Sequence, residues 1–132
     1  MEIYRLPKVL IIHLKRFKEK RNTVMLGMSK TAQMEKDGAM VRFPIDKLDM
    51  RDHVAPAIVD DDSKNALEYE FLGVCNHMGS LDGGHYTAFI NYKNMSQQGR
   101  WIKFDDHYAS ELKAENIETP NAYVLFYKHS KI

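Results

Sequence analysis

The stretch from Asn76 to Asp106, NHMGSLDGGHYTAFINYKNMSQQGRWIKFDD, decides the fold. It divides into a strand end, a glycine-rich loop, a strand opening at His85, a polar turn and a second strand that ends on two acids. Trp101-Ile102-Lys103-Phe104 alternates as a short strand does. The segments 85–92 and 100–105 then read as an antiparallel hairpin joined by the polar connection Lys93 to Gly99. Such a hairpin returns the end of its second strand to the start of its first, so Asp105 comes back beside His85. A histidine with an aspartate to orient it is two thirds of a nucleophilic triad and lacks the nucleophile.

Outward from that hairpin the chain keeps reading as sheet. Glu68 to His77 alternates, with Tyr69, Phe71, Cys75 and His77 on one side and Leu72, Val74 and Asn76 on the other. In the second strand His85, Thr87 and Phe89 share a face. Leu6 to Phe17 is apolar on both faces and reads as a buried strand, with His13 tucked into the sheet. Residues 18–40 are charged and Met-rich without a clean period, as in a long hairpin. Val41 to Pro44 is expected as a short strand, Ile45 to Met50 as a turn into an edge segment, and 51–66 as a surface loop. The acids Asp60 to Asp62 lack the ligand spacing and glycine of a calcium loop, so they read as solvated charge. Ser110 to Glu118 is expected as a short helix capped by Ser110 and stopped before Pro120, and Asn121 to Lys128 as a closing strand. The expected class is α+β and β-rich, a mostly antiparallel sheet with little helix.

Composition narrows the chemistry. At 132 residues the chain is one domain or part of one. A formal net charge of +1 gives no strong field for nucleic acid or membrane, and the Lys/Arg cluster at 15–22 reads as a solvated hairpin. No apolar run approaches the ~20 residues of a membrane span. One cysteine excludes an internal disulfide and fits a reducing compartment, cytoplasmic or nuclear. With no CxxC pair the chain offers no zinc site, and neither metal nor cofactor is expected.

The motifs together resemble one family. GGHYTAF at 83–89 followed by WIKFDD at 101–106 is similar to the His and Asp boxes of the ubiquitin-specific proteases, the papain-like deubiquitinases. LPKVLIIHLKRF at 6–17, VRFP at 41–44 and AYVLFYK at 122–128 resemble that family's remaining landmarks in their order. The resemblance covers nearly all of residues 1–132 and implies the carboxy-terminal part of the catalytic domain, with the amino-terminal, Cys-bearing half absent. It implies thiol hydrolysis of isopeptide bonds after the Gly-Gly tail of ubiquitin, with ubiquitin and ubiquitinated proteins as partners. The 18–40 segment would belong to the finger region that grips ubiquitin's body, whose zinc cysteines would lie outside this chain.

On that reading His85 is the base, Asp105 its orienter through Nδ1–H, and Asp106 an auxiliary polar group pointing the other way along an extended strand; the other reading makes both acids, Asp106 above all, solvated turn residues. Gly83 and Gly84 would let a substrate backbone approach closely. By resemblance His77 and Gly79 begin a loop flanking the tail channel and Tyr86 lies against the tail; for His77 and Tyr86 packing alone is the other reading. Trp101 is expected in the core. Cys75, mid-strand among apolar neighbours, reads as a small buried hydrophobe rather than a nucleophile. Two other readings stand beside this one: a non-catalytic ubiquitin-binding or scaffolding module, and an unrelated thiol hydrolase using Cys75. If half a domain is missing, the sheet should expose an apolar face and the chain should self-associate.

Overall fold

In the computed structural model, residues 2–21, 32–56, 67–92 and 100–131 are described. The strands are β1 (Val9–His13), β2 (Phe17–Arg21), β3 (Ala32–Lys36), β4 (Lys47–Asp49), β5 (Glu68–Gly79), β6 (Gly84–Tyr92), β7 (Arg100–Asp105), β8 (Tyr108–Leu112) and β9 (Ala122–His129). All but β2 and β3 join one sheet in the order β1-β9-β5-β6-β7-β8, every pair antiparallel. β4 pairs with residues 68–70 of β5, on the edge that β6 takes over from Gly73 onward. β2 and β3 form a separate hairpin. Buried Arg16 ties its base to the sheet, donating from Nε to the Ala122 carbonyl and from Nη1 to the carbonyls of Asp37 and Ala39.

The core lies on one face of the large sheet. Tyr69, Phe71, Val74, Phe89, Leu125 and Tyr127 are buried there beneath Phe43, Met50, Val54 and Ile117 from the connecting segments. Trp101 packs against this cluster as expected, 5.7 Å from Phe71 between ring centres. The buried tyrosines satisfy their hydroxyls on backbone, Tyr127 on the Pro44 carbonyl and Tyr69 on that of Pro7. The opposite face is open in part: Ile11 is 58% exposed and Ile90 38%. A groove of about 310 Å³ on it is lined by Leu72, Cys75, Ala88, Ile90 and Phe126 among others.

Several local expectations change. β5 does not keep one alternation, because Leu72 is an extra residue between Phe71↔Tyr127 and Gly73↔Phe126. Beyond this bulge the parity reverses, so Val74 and Asn76 are buried on the core side with Tyr69 and Phe71, and Cys75 turns to the open face. β1 is an edge strand buried on one side only, with Leu10 and Ile12 half-buried and Val9, Ile11 and His13 exposed. Val41 to Pro44 is not a strand; Phe43 is buried, and its N–H finds the Glu118 carboxylate at 2.9 Å instead of a neighbouring strand. The helix expected over Ser110 to Glu118 is absent: Ser110 lies in β8 opposite Lys103, and one 3₁₀ turn, Ala114–Asn116, follows. Edge pairing to β7 outweighs the weak helical preference of that segment. The tip of the 18–40 hairpin (22–31), most of the 51–66 loop including Asp60 to Asp62 (57–66), and the connection 93–99 lie outside the described residues.

Candidate active site

β6 and β7 pair as the sequence implies, from Tyr92↔Arg100 to Ala88↔Phe104. Continuing that register sets Thr87 opposite Asp105, so His85 is Asp105's diagonal neighbour on the same face. His85 Nε2 and Asp105 Oδ1 lie 2.5 Å apart, both side chains partly exposed. Nε2, not the expected Nδ1, faces the carboxylate, which leaves Nδ1 as the free ring nitrogen. Asp105 Oδ2 takes a second partner, Lys103 Nζ at 2.8 Å. The Lys103 ammonium first and the His85 hydrogen bond second hold the Asp105 carboxyl below its usual range, so it is ionised at neutral pH.

Asp106 does not continue the strand. With His107 it forms a two-residue turn between β7 and β8, Asp105 facing Tyr108, and its φ of 51° is left-handed. That turn brings its side chain back, so that one ligand atom each of His85, Asp105 and Asp106 lie within 4.8 Å of one another. The expectation that Asp106 points away is therefore corrected. An imidazole and two carboxylates are a donor set for a divalent cation, but both Asp105 oxygens are already engaged, by His85 and Lys103.

The glycines have structural reasons. Gly79 has φ 101°, and a Cβ there would lie 2.6 Å from the Gly83 carbonyl oxygen, so the turn into Ser80 to Gly83 requires glycine. A Cβ on Gly84 would lie 2.1 Å from His77 Nε2 and 2.7 Å from the Met78 carbonyl oxygen. A Cβ on Gly83 would meet nothing within 4 Å, so Gly83 is the one of the pair with space beside it for an approaching backbone.

His77, expected either beside the substrate or in packing, is 3% exposed, as the packing reading has it. Its ring packs among Phe17, Tyr86 and Tyr123 and backs onto Gly84. Burial first, and the Lys36 ammonium second, push its pKa down and keep the imidazole neutral at pH 7. Tyr86 is 55% exposed, its ring tilted against that of His77 at 4.7 Å between centroids.

Cys75 sits apart from His85 and its acids. Its ladder partner is Ala88, three residues from His85 and on the other face of β6, about 10 Å along the strand. Burial raises its thiol pKa. No backbone adjustment short of unpairing β5 from β6 would bring its sulfur to His85.

Sequence reasoning missed Lys103, although its signal was there: two residues before Asp105 on a strand means the same face. It also missed Phe17 and Tyr123, whose rings wall in His77 from β2 and β9.

The family model described as ubiquitin carboxyl-terminal hydrolase matches residues 1–127. The chain belongs to that family. Ubiquitin carboxyl-terminal hydrolase 8 of Arabidopsis thaliana is 35% identical over 128 residues, 97% of this chain and 13% of the relative. Ubiquitin carboxyl-terminal hydrolase 12 of Saccharomyces cerevisiae is 37% identical over 127 residues, 96% of this chain and 9% of the relative. The chain thus spans roughly a tenth of the length of these curated relatives. Among solved structures, a chain of the SAGA Ubp8/Sgf11/Sus1/Sgf73 deubiquitinating module bound to ubiquitin aldehyde superposes with TM-score 0.72 at 30% identity. That match covers 96% of this chain and 25% of the other. The same module bound to monoubiquitin gives TM-score 0.72 at 29% identity, covering 96% and 24%. Fold and family are therefore those implied by the GGHYTAF and WIKFDD motifs.

Proposed function

We propose that residues 1–132 form the carboxy-terminal part of a cysteine-type deubiquitinase catalytic domain, with His85 as base, Asp105 as its orienter and Asp106 as an auxiliary acid. The observation that carries this reading is the 2.5 Å contact of His85 Nε2 with Asp105 Oδ1 on a paired hairpin. With Nε2–H donated to the carboxylate, Nδ1 keeps its lone pair and accepts the proton of an incoming thiol. The thiolate attacks the carbonyl carbon of ubiquitin's terminal glycine. The resulting imidazolium returns the proton to the departing lysine amine, leaving a thioester that water cleaves with His85 as base. The nucleophile comes from a segment outside these residues, since Cys75 faces away on the other side of the sheet.

Ubiquitin is the proposed partner, consistent with the ubiquitin-bound modules that share the fold. Gly79, Gly83, Gly84 and exposed Tyr86 line the proposed path of its tail, while His77 supports that path from beneath. The open sheet face with Ile11 and Ile90 is the proposed seat of the remaining catalytic domain, and in its absence a route to self-association. A cytoplasmic or nuclear site of action belongs to the same proposal.

A ubiquitin carrying an electrophile at its carboxy terminus tests the reading in the longer polypeptide that contains 1–132. The adduct should form on a cysteine outside this chain, and Cys75 should stay unmodified in peptide mass analysis. An adduct on Cys75 would refute it.

A further inference from the structure

We propose that Lys103 is a positioning residue for the His85–Asp105 pair: it holds one carboxylate oxygen so that the other stays on the imidazole. The inference rests on the assignment of His85 as the base.

The two oxygens of Asp105 have separate partners, Oδ1 facing His85 Nε2 at 2.5 Å and Oδ2 facing Lys103 Nζ at 2.8 Å. The terminal torsion of an aspartate is broad and roughly two-fold, so one hydrogen bond to a partly exposed histidine leaves the carboxylate free to swing. The Lys103 contact closes that freedom. Lys103 needs no loop to do so, because it shares the strand and the face, standing between Phe89 of β6 and Ser110 of β8 in the ladder.

A second argument comes from charge. Asp106 is folded back until a ligand atom of its side chain is within 4.8 Å of those of Asp105 and His85, so two carboxylates compete around one imidazole. Like charges that close repel, and the looser acid yields. Among the described residues the ion pair of Lys103 is with Asp105, which sets the order of the two: Lys103 holds Asp105 and not Asp106. The groups facing Asp105 are Lys103 on its own strand, His85 from β6, Asp106 from the turn and Tyr108 opposite on β8. The depressed pKa of Asp105, owed first to Lys103 and then to His85, agrees with this arrangement. Exposed ion pairs add little to folding stability, so the contribution of Lys103 lies in geometry.

The test uses NMR on residues 1–132, comparing the native chain with K103M, K103R, D105N and the K103M/D105N double variant. Two readouts are followed: the carboxyl carbon of Asp105 through an acid titration, and the order of the His85 ring from Cε1–H relaxation. K103M should shift the Asp105 midpoint upward and loosen the His85 ring, and K103R should restore both. In the D105N background K103M should change the ring no further, because Lys103 acts only through Asp105. If K103M perturbs the amide fingerprint as a whole, K103Q takes its place. An unchanged His85 ring in a folded K103M or K103Q chain overturns the proposal, as does further loosening in the D105N background. None of these readouts needs turnover, so failure of the deubiquitinase reading would show separately, as absent hydrolysis with the Lys103 coupling intact.

Discussion

Replacing Gly84 by alanine should cost stability out of proportion to one methyl group. The new Cβ would stand 2.1 Å from His77 Nε2, 2.9 Å from its Cε1 and 2.7 Å from the Met78 carbonyl oxygen. A buried ring can yield where there is room, but three aromatic rings crowd His77 and its backbone is fixed on both sides. Phe17, Tyr86 and Tyr123 surround the ring, the backbone N–H of His77 donates to the Asn121 carbonyl at 2.8 Å, and its backbone carbonyl accepts from Lys36 Nζ. Overpacking of this kind costs about 1–3 kcal/mol, and with one obstacle in the backbone itself the upper end is expected. At about 3–4 °C per kcal/mol for a chain of this size, Tm should fall by about 10 °C. Gly83→Ala is the control: nothing lies within 4 Å of its Cβ, so the change should stay within about 0.5 kcal/mol. Urea unfolding of both variants, alone and in a His77→Ala background, measures the coupling. The Gly84→Ala cost should fall by about half when the ring is gone, the Met78 carbonyl keeping the rest. Equal costs for Gly83→Ala and Gly84→Ala, or a Gly84→Ala cost indifferent to His77, would refute the reasoning.

His77 also predicts a pH dependence. Its folded pKa lies below the ordinary 6.5, so between the two values the unfolded chain binds the proton that the folded chain refuses. Stability should therefore drop as pH falls through about 6.5, and His77→Phe should flatten that slope in urea midpoints taken from pH 8 to 5; an unchanged slope would contradict the burial argument. On the open sheet face, Ile11→Glu should reduce self-association of the isolated chain in light scattering without lowering its urea midpoint, since Ile11 is 58% exposed. A native chain that stays monomeric at high concentration would count against that face as an interface.

The alternation of hydrophobic residues made the hairpin legible, because β6 and β7 are regular: His85, Thr87, Phe89 and Trp101, Lys103, Asp105 keep one parity throughout. The same rule misassigned β5, where the extra residue Leu72 shifts the second half by one, and nothing in the composition of Phe71-Leu72-Gly73 marks a bulge apart from the glycine. The strand-face reading of Asp106 failed for a related reason, while its reading as a turn acid agrees with the structure. Its left-handed φ of 51° belongs to a tight turn, and the sequence DDHY has no Asn-Gly or Asp-Gly pair to announce one. Ser110 to Glu118 looked helical in isolation, but β7 had a free edge to fill, and that partner is visible only in three dimensions. The base and its orienter were readable as residues; which ring nitrogen they share, and the lysine behind them, were matters of rotamer and register.

The most direct test of the central claim is hydrolysis of a ubiquitin–fluorophore amide by the longer polypeptide that contains 1–132, comparing the native protein with His85→Ala and Cys75→Val. The account predicts loss of nearly all turnover in the first, by several orders of magnitude for a group acting as part of a triad, and near-native turnover in the second. Turnover that survives His85→Ala, or disappears with Cys75→Val in a folded protein, would contradict it.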